Sequence, residues 1–201
     1  VRPGSPRNLA ITNIQARSVL LQFVPGSSGH TSISKWVIEG QINGNPEWEK
    51  VYEKVDPAAT SITVGDLNPY TTYVLRLVAV NVAGNSDPSE STRQFQTIQA
   101  PPTSPPPEVT VRAINETAIR VRWKPLASDL WNGEGRGYMI QYKVSDEPIF
   151  VTTLEVQDAN ANSHTFTGLE EWMPYDFRVA SFNKVGNSAY SPLASDRTRE
   201  S

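Results

Sequence analysis

The chain repeats itself at about half of its length, and this repeat limits what it can fold into more than any other feature. Residues 67–73, which begin with leucine and end with tyrosine, return as residues 169–175 at an offset of 102 residues. Residues 19–23 return as residues 119–123 at an offset of 100. The offset grows by two, which indicates an insertion around residues 130–137, because loops tolerate insertions and strands do not. A period near 100 residues is that of a whole domain, so the sequence predicts two copies of one fold.

Apolar and polar residues alternate with a period of two in each copy, which is typical of strands that are buried on one face. Sixteen prolines and twelve glycines supply turns between such strands. Seven short strands per copy predict an all-β fold class, with two tandem seven-stranded β-sandwiches. We predict strands at 8–13, 18–23, 35–41, 47–54, 61–64, 72–81 and 93–97 in the first copy, and at 108–113, 117–123, 137–144, 150–156, 163–167, 174–183 and 195–199 in the second.

A proline-rich segment, residues 100–107, separates the two copies. Proline lacks the backbone N–H that a central strand needs, and a run of prolines favours the polyproline II conformation of a semi-rigid spacer. We therefore predict one domain over 1–99, a linker over 100–106 and a second domain over 107–201. The spacing of Pro102 and Pro105 also fits a ligand of domains that bind proline-rich segments, but a linker between two folded domains already explains it.

The repeated motifs resemble those of the fibronectin type III family. An aromatic residue on the second strand, here Phe23 or Trp123, is typical of that family. Its Leu-x-Pro-x-Thr-x-Tyr motif is complete before Tyr73, whereas the copy before Tyr175 has glutamate and methionine in place of the proline and the threonine. The resemblance implies an immunoglobulin-like sandwich in each copy. It also implies a structural tyrosine corner, in which the hydroxyls of Tyr73 and Tyr175 bond back to the chain just upstream.

Several local segments also resemble the fibronectin type III region of sidekick proteins, which are neural immunoglobulin-superfamily adhesion molecules with many such domains, one membrane span and homophilic recognition. These segments are residues 21–26, 31–36, 99–102, 169–172 and 197–201. The resemblance implies a soluble extracellular piece of a single-pass plasma-membrane glycoprotein, acting as a spacer or adhesion module. Homophilic binding in that family is associated with immunoglobulin domains, so we expect adhesion partners to bind through regions outside this fragment.

Two other functions stay open at this point. Receptor tyrosine phosphatases share the general pattern, so the chain could be an ectodomain part of such an enzyme. A direct ligand-binding module for a protein or a glycosaminoglycan is the other alternative, because fold alone does not carry function.

Charge and composition argue against several further classes. The net charge is −3 and neither half has a basic excess, so we expect no nucleic-acid partner. The absence of cysteine removes disulfides, thiolate nucleophiles and cysteine–metal sites. His30 and His164 lack the companions of a catalytic or metal-binding motif, and we interpret both as surface residues. The sequence therefore predicts no enzyme activity, no cofactor and no metal. No apolar run approaches the roughly 20 residues of a membrane span, so any anchor of the parent protein is expected outside this fragment.

One basic stripe is a candidate contact surface. Arg120, Arg122 and Lys124 alternate with apolar residues, which places the three charges on the outer face of one sheet, with Arg112 nearby on the preceding strand. Such a stripe can bind an acidic protein or heparan sulfate. It is equally well explained as an ordinary solvated face whose arginine stems cover aromatic residues.

Three further candidates lie in predicted loops. Trp131 and Trp172 match no core position, and an exposed tryptophan is a common interface anchor. Either residue can instead pack against the edge of its own domain or against the linker. Asn115 begins an Asn-x-Thr sequon in the turn between the first two strands of the second copy, which predicts N-linked glycosylation there.

Overall fold

The computed structural model describes residues 1–150 and 152–201, and in it the chain folds as two compact units, Val1–Gln99 and Ala100–Ser201. Each unit consists of two antiparallel sheets around its own apolar core, so the predicted all-β fold of two sandwiches is confirmed. Val151, which falls within the strand predicted at 150–156, lies outside the described residues.

The first unit pairs a three-stranded sheet, in the order β1-β2-β5, with a larger sheet in the order β4-β3-β6-β7, in which β8 also pairs with β6. The strands are β1 (Arg7–Thr12), β2 (Val19–Val24), β3 (Lys35–Ile42), β4 (Glu49–Lys54), β5 (Ser61–Val64), β6 (Thr72–Asn81), β7 (Gly84–Asn85) and β8 (Phe95–Gln96). Alternating residues of both sheets face each other, and Leu21, Ile38 and Leu75 are fully buried. The rings of Phe23 and Trp36, from opposite sheets, have centroids 4.8 Å apart. Each such buried side chain contributes about 1.5–3 kcal/mol to stability.

The second unit repeats this arrangement, with sheets in the orders β13-β10-β9 and β12-β11-β14-β15. Its strands are β9 (Thr110–Ala113), β10 (Ile119–Arg122), β11 (Gly135–Val144), β12 (Thr152–Val156), β13 (Ser163–Phe166), β14 (Pro174–Asn183) and β15 (Ala194–Arg197). Trp123 and Tyr138 meet between the sheets with ring centroids 5.2 Å apart. A short 3-10 helix, Ser128–Leu130, follows β10. In the part of the chain that the structure describes, no helix is long and apolar enough to cross a membrane.

The segment before the final strand of each unit has a regular hydrogen-bond pattern that lies outside the final strands predicted at 93–97 and 195–199. Between the short strands β7 and β8, every third residue presents a hydroxyl that accepts an N–H bond from β6, at 2.9–3.0 Å. The accepting hydroxyls belong to Ser86, Ser89 and Thr92 in the first unit and to Ser188 and Ser191 in the second. A spacing of three is the period of polyproline II rather than that of a strand, so a search for alternation cannot detect this hydroxyl ladder.

A buried tyrosine fixes the turn before the long strand of each unit. The hydroxyl of Tyr73 accepts the backbone N–H of Asn68 at 2.8 Å, and the hydroxyl of Tyr175 accepts that of Glu170 at 2.9 Å. Burial raises the pKa of Tyr73 above its ordinary value, although the bond from Asn68 acts in the opposite direction. This geometry is that of a tyrosine corner, and it satisfies a turn N–H that no strand partner reaches.

Candidate functional site

Four arginines of the second unit line one groove, which has a volume of about 370 Å³. Arg112 lies on β9, Arg120 and Arg122 lie on β10, and Arg199 follows β15. The remaining lining residues are Thr110, Val111, Ala113 and Ile114. We call this site the arginine groove. It joins Arg120 and Arg122 of the predicted basic stripe to Arg112, which the sequence placed nearby, and to Arg199 from the C-terminal segment.

Strand alternation places these charges on the outer face of the sheet. Ile119 and Val121 of β10 are fully buried, so Arg120 and Arg122 between and after them point outward. Arg112 pairs directly with Arg120 across the two strands. Side chains in such a pair begin roughly 5 Å apart, and like charges at that separation destabilise the sheet. The arrangement therefore costs stability unless an anion neutralises it.

The groove contains little that compensates this charge. Nε of Arg120 donates to the hydroxyl of Thr165 at 3.3 Å, and Nη2 of Arg199 donates to the carbonyl oxygen of Ala113 at 3.4 Å. Both acceptors are neutral. Among residues 1–150 and 152–201, no carboxylate forms an ion pair with any of the four arginines. The groove therefore presents a locally positive surface on a unit whose sequence, residues 99–201, carries 10 basic and 13 acidic residues.

The first unit shows that the fold does not require this charge. Its strands β1 and β2 pair in the same register as β9 and β10, with Thr12 opposite Leu20 and Ala10 opposite Gln22. The residues that correspond to the four groove arginines are Thr12, Leu20, Gln22 and Ile98. None of them is charged. The arginine groove is thus a property of the second unit.

Lys124 and Asn115, both candidates from the sequence, lie beside the groove rather than in its lining. Lys124 is exposed, and its backbone N–H donates to the carbonyl oxygen of Pro107 at 2.9 Å. Asn115 is exposed in the turn between β9 and β10, where its carbonyl oxygen accepts the N–H of Arg199 at 3.2 Å. Its side-chain oxygen accepts the N–H of Thr117 at 2.9 Å, which is a common local bond in turns.

The structure contradicts the hypothesis that Trp131 is an exposed contact residue. Its side chain is 7% exposed and belongs to the core cluster of the second unit. The ring lies 5.7 Å from that of Tyr138, and Nε1 donates to the carbonyl oxygen of Leu126 at 3.2 Å. Gly135 leaves room for the indole, because a Cβ atom there would stand 2.7 Å from it. The ring fills space under the loop that follows β10, so it is a packing residue.

Trp172, in contrast, is 54% exposed. The guanidinium carbon of Arg197 lies 4.8 Å from the ring centroid, and Nη1 of Arg197 donates to the carbonyl oxygen of Trp172 at 2.8 Å. The backbone of Trp172 has φ 48°, and Tyr70 at the same place in the first unit has φ 51°. Trp172 thus remains a candidate contact residue, with an arginine stacked on its ring.

His164 also differs from the surface residue that the sequence predicted. It pairs with the core residue Val121 across β10 and β13, and its ring packs edge-on against Phe166 at 4.8 Å. Ile62 holds the corresponding place in the first unit, where it is buried. Burial lowers the pKa of His164 below its ordinary value of 6.5, so the imidazole is neutral at neutral pH. Among the described residues, no three histidine, aspartate or glutamate side chains are placed to hold a metal ion.

A buried asparagine in each unit holds the segment through which the chain enters that unit. Nδ2 of Asn183 donates to the carbonyl oxygens of Ala100 and Trp131, at 2.7 and 2.8 Å. Nδ2 of Asn132 donates to the carbonyl oxygen of Pro101 at 2.9 Å, and its own carbonyl oxygen accepts the N–H of Ala100 at 3.0 Å. We call this arrangement the entry clamp. The sequence gave no sign of the bonds that Asn183 makes to the entering segment.

The first unit contains the equivalent clamp. Nδ2 of Asn81 donates to the carbonyl oxygens of Val1 and Ser28, at 2.8 and 2.9 Å. The terminal amino group of Val1 donates to the carbonyl oxygen of Gly29 at 3.3 Å. Gly29 has φ 77° and corresponds to Asn132, which has φ 53°. A left-handed residue at this point lets the loop carbonyl face the entering chain.

Comparison with known proteins agrees with this architecture. The sequence model of the fibronectin type III domain matches residues 4–95 and again residues 104–197. The chain therefore belongs to the fibronectin type III family, as two tandem domains.

Relatives that match the whole chain include sidekick proteins. "Protein sidekick" of Drosophila melanogaster is 47% identical over 205 aligned positions, which cover 100% of this chain and 9% of that protein. "Protein sidekick-1" of Homo sapiens is 43% identical, with 99% of this chain and 9% of that protein covered. The chain thus spans about a tenth of the length of these relatives. The crystal structure of chicken CNTN1 FN1-FN3 domains matches 100% of this chain and 68% of its own with a TM-score of 0.75; at 23% identity this likeness shows the fold alone.

Proposed function

We propose that the chain is a non-catalytic extracellular module of a cell-surface cell–cell adhesion protein, anchored in the plasma membrane through another part of its parent chain. The observation that carries this proposal is the similarity of the whole chain to sidekick proteins, at 37–47% identity. The resemblance implies neural adhesion as the setting and other adhesion proteins as partners. In this proposal the two domains serve as a spacer that holds a recognition region at a set distance from the membrane.

Hydrogen bonds on both sides of the domain junction support the spacer role. The N–H of Ile98 donates to the carbonyl oxygen of Gln15 within the first unit, at 3.3 Å. The N–H of Ala100 donates within the second unit, as part of the entry clamp. One residue, Gln99, separates these two fixed points. Because short connections leave few torsions to vary, we propose that the junction is semi-rigid.

Small-angle X-ray scattering of the 201-residue chain tests the spacer role. We expect one narrow distribution of interdomain distances. A variant with six glycine and serine residues inserted after Gln99 should give a broader distribution, because such linkers behave as flexible coils. If the original chain and the insertion variant give the same broad distribution, the spacer proposal is wrong.

Glycosylation of Asn115 tests the extracellular placement. Asn115 is exposed in a turn, which suits the glycan acceptor. When the chain is secreted from animal cells, enzymatic removal of N-linked glycans should lower its mass, and Asn115→Gln should abolish that shift. The neighbouring Glu116→Gln leaves the sequon intact and should leave the shift unchanged. A secreted chain with unmodified Asn115 would speak against the predicted modification.

A further inference from the structure

We propose that the arginine groove binds a sulfated glycosaminoglycan chain. This role is separate from that of the spacer, because it depends on the outer face of one sheet and not on the domain junction. It also decides between the two ligand classes considered for the basic stripe, an acidic protein and heparan sulfate, in favour of the polysaccharide. The proposal depends on the charge of the groove, on how other arginines of the chain are used, and on the shape and chemistry of the lining.

Two arginines outside the groove show one way in which this fold neutralises a guanidinium. Nε of Arg76 bonds to the carboxylate of Glu39 at 2.8 Å, and its guanidinium lies 4.2 Å from the ring centroid of Trp48. Arg178 donates twice to Oε1 of Gln141, at 2.8 and 2.6 Å, and stacks 4.0 Å from the ring centroid of Phe150. Both residues lie on the outer face of the larger sheet of their unit. Arg76 and Arg178 thus each have a partner on a neighbouring strand.

The groove arginines lack such partners. Arg112 and Arg122 form no side-chain hydrogen bond or ion pair with any residue in the described ranges, and Arg112 stands opposite another arginine. The four corresponding residues of the first unit are uncharged, so neither folding nor the repeat explains the cluster. The groove thus holds four guanidinium groups that have no hydrogen-bond partner or bond only to neutral acceptors. An anionic ligand supplies the opposite charge that the protein does not provide. The planar donor fork of arginine binds sulfate oxygens in pairs.

The shape of the groove favours a linear polyanion. Arg120 and Arg122 are two residues apart on one strand, roughly 7 Å, and Arg112 lies across from Arg120 on the next strand. Charges at such intervals suit a chain that carries sulfates on successive sugars. Ile114, which is partly buried in the lining, adds apolar surface against which a sugar ring can pack.

The lining argues against a single-stranded nucleic acid. None of the eight lining residues is aromatic. Single-stranded nucleic acids are held largely by bases stacked on aromatic side chains. A sulfated polysaccharide needs no aromatic side chain, because its affinity comes from many ion pairs. Competition by polyglutamate tests for an acidic protein segment in its place.

Retention of the 201-residue chain on a heparin surface, and its affinity for a heparin oligosaccharide of defined length, test the proposal. Removing two groove charges in Arg112→Gln with Arg122→Gln should weaken binding about tenfold at 0.15 M salt, since an exposed ion pair contributes a factor of about two to five. Neither side chain holds a bond in the fold, and Arg112→Gln relieves the repulsion from Arg120, so the unfolding temperature of this variant should not fall below that of the original chain. The matched control is Arg136→Gln with Lys184→Gln, which removes the same charge from exposed positions of the same unit. This control should bind like the original chain.

Several outcomes would overturn the proposal. They are absence of heparin binding at 0.15 M salt, an equal loss of heparin affinity in the groove and control variants, and no loss of affinity in the groove variant. Equal affinity for heparin and for chemically desulfated heparin would remove sulfate as the recognised group. Polyglutamate or a single-stranded polynucleotide that competes as well as heparin would show a general polyanion surface instead. None of these outcomes bears on the spacer role, which scattering tests without any ligand.

Discussion

Replacing Trp131 by alanine should lower the free energy of unfolding of the second domain by about 3–5 kcal/mol, which is the usual cost of truncating a buried tryptophan. The indole is 7% exposed, packs beside Tyr138 and donates a hydrogen bond to Leu126. Its removal leaves a cavity that Gly135, which has no side chain, cannot fill. The carbonyl oxygen of Leu126 also loses the donor that satisfies it. Both losses act on one domain core, so a large part of its stability disappears.

Trp172→Ala is the matched control for this prediction. That ring is 54% exposed and loses mainly its contact with Arg197, so we expect a cost of about 1 kcal/mol or less. The two domains need not unfold together, and the measurement should therefore resolve them. Amide hydrogen exchange of β11 and β14 against denaturant concentration reports on the second domain alone. Equal costs for the two substitutions would show that Trp131 is not the packing residue described above.

Replacing Asn183 by alanine should lower the free energy of unfolding of the second domain by about 2–4 kcal/mol and release the entering segment. The side chain donates to Ala100 and Trp131, and its Oδ1 accepts the N–H groups of Val185 and Gly186, at 2.8 and 3.1 Å. Alanine can make none of these bonds. A buried polar group left without a hydrogen-bond partner costs about 1–3 kcal/mol, and this substitution removes the partner of several such groups.

The same measurement locates the effect of Asn183→Ala. Amide exchange of Ala100 should become faster than in the original chain, because the entry clamp holds this residue on the second domain. Asn81→Ala provides the control, since it removes the equivalent bonds to Val1 and Ser28 in the first domain. It should destabilise that domain and leave exchange at Ala100 unchanged. Unchanged exchange at Ala100 in the Asn183 variant would contradict the clamp.

The fold was predictable because the same pattern occurs twice. Alternation within strands and the motif that ends in Tyr73 and Tyr175 both depend on neighbours in sequence, and two copies confirm each other. The hydroxyl ladder escaped because its residues repeat every three positions, a period that strand patterns do not contain. A run such as Ser86, Ser89 and Thr92 beside a proline is the signal that could have shown it.

The positions of the groove residues could be predicted only where their neighbours in sequence determine which face of the sheet they occupy. Alternation placed Arg120 and Arg122 on the outer face, because the residues beside them in sequence are buried on the inner face. Arg199 could not be placed from sequence, since it reaches the groove through side-chain and turn contacts between the C-terminal segment and β9. The N–H of Ala113 donates to the carboxylate of Asp196 at 2.8 Å, and the N–H of Arg199 donates to the carbonyl oxygen of Asn115 at 3.2 Å. Trp131 was misplaced for a related reason. Its counterpart in the first copy is the loop residue Ser28, so comparison of the copies offered no aromatic core position to match.

The entry clamp has a consequence for how arrays of such domains change over time. Each domain binds the first few residues of its own entering segment, so one of the two fixed points of the joint belongs to the downstream domain. A duplication or exchange that moves a domain together with those residues keeps this fixed point, and needs from the upstream domain only a bond like that of Ile98 with Gln15. A domain boundary placed a few residues later would leave the amide of an asparagine such as Asn183 without its carbonyl partner. The connection to the new upstream domain would then be flexible.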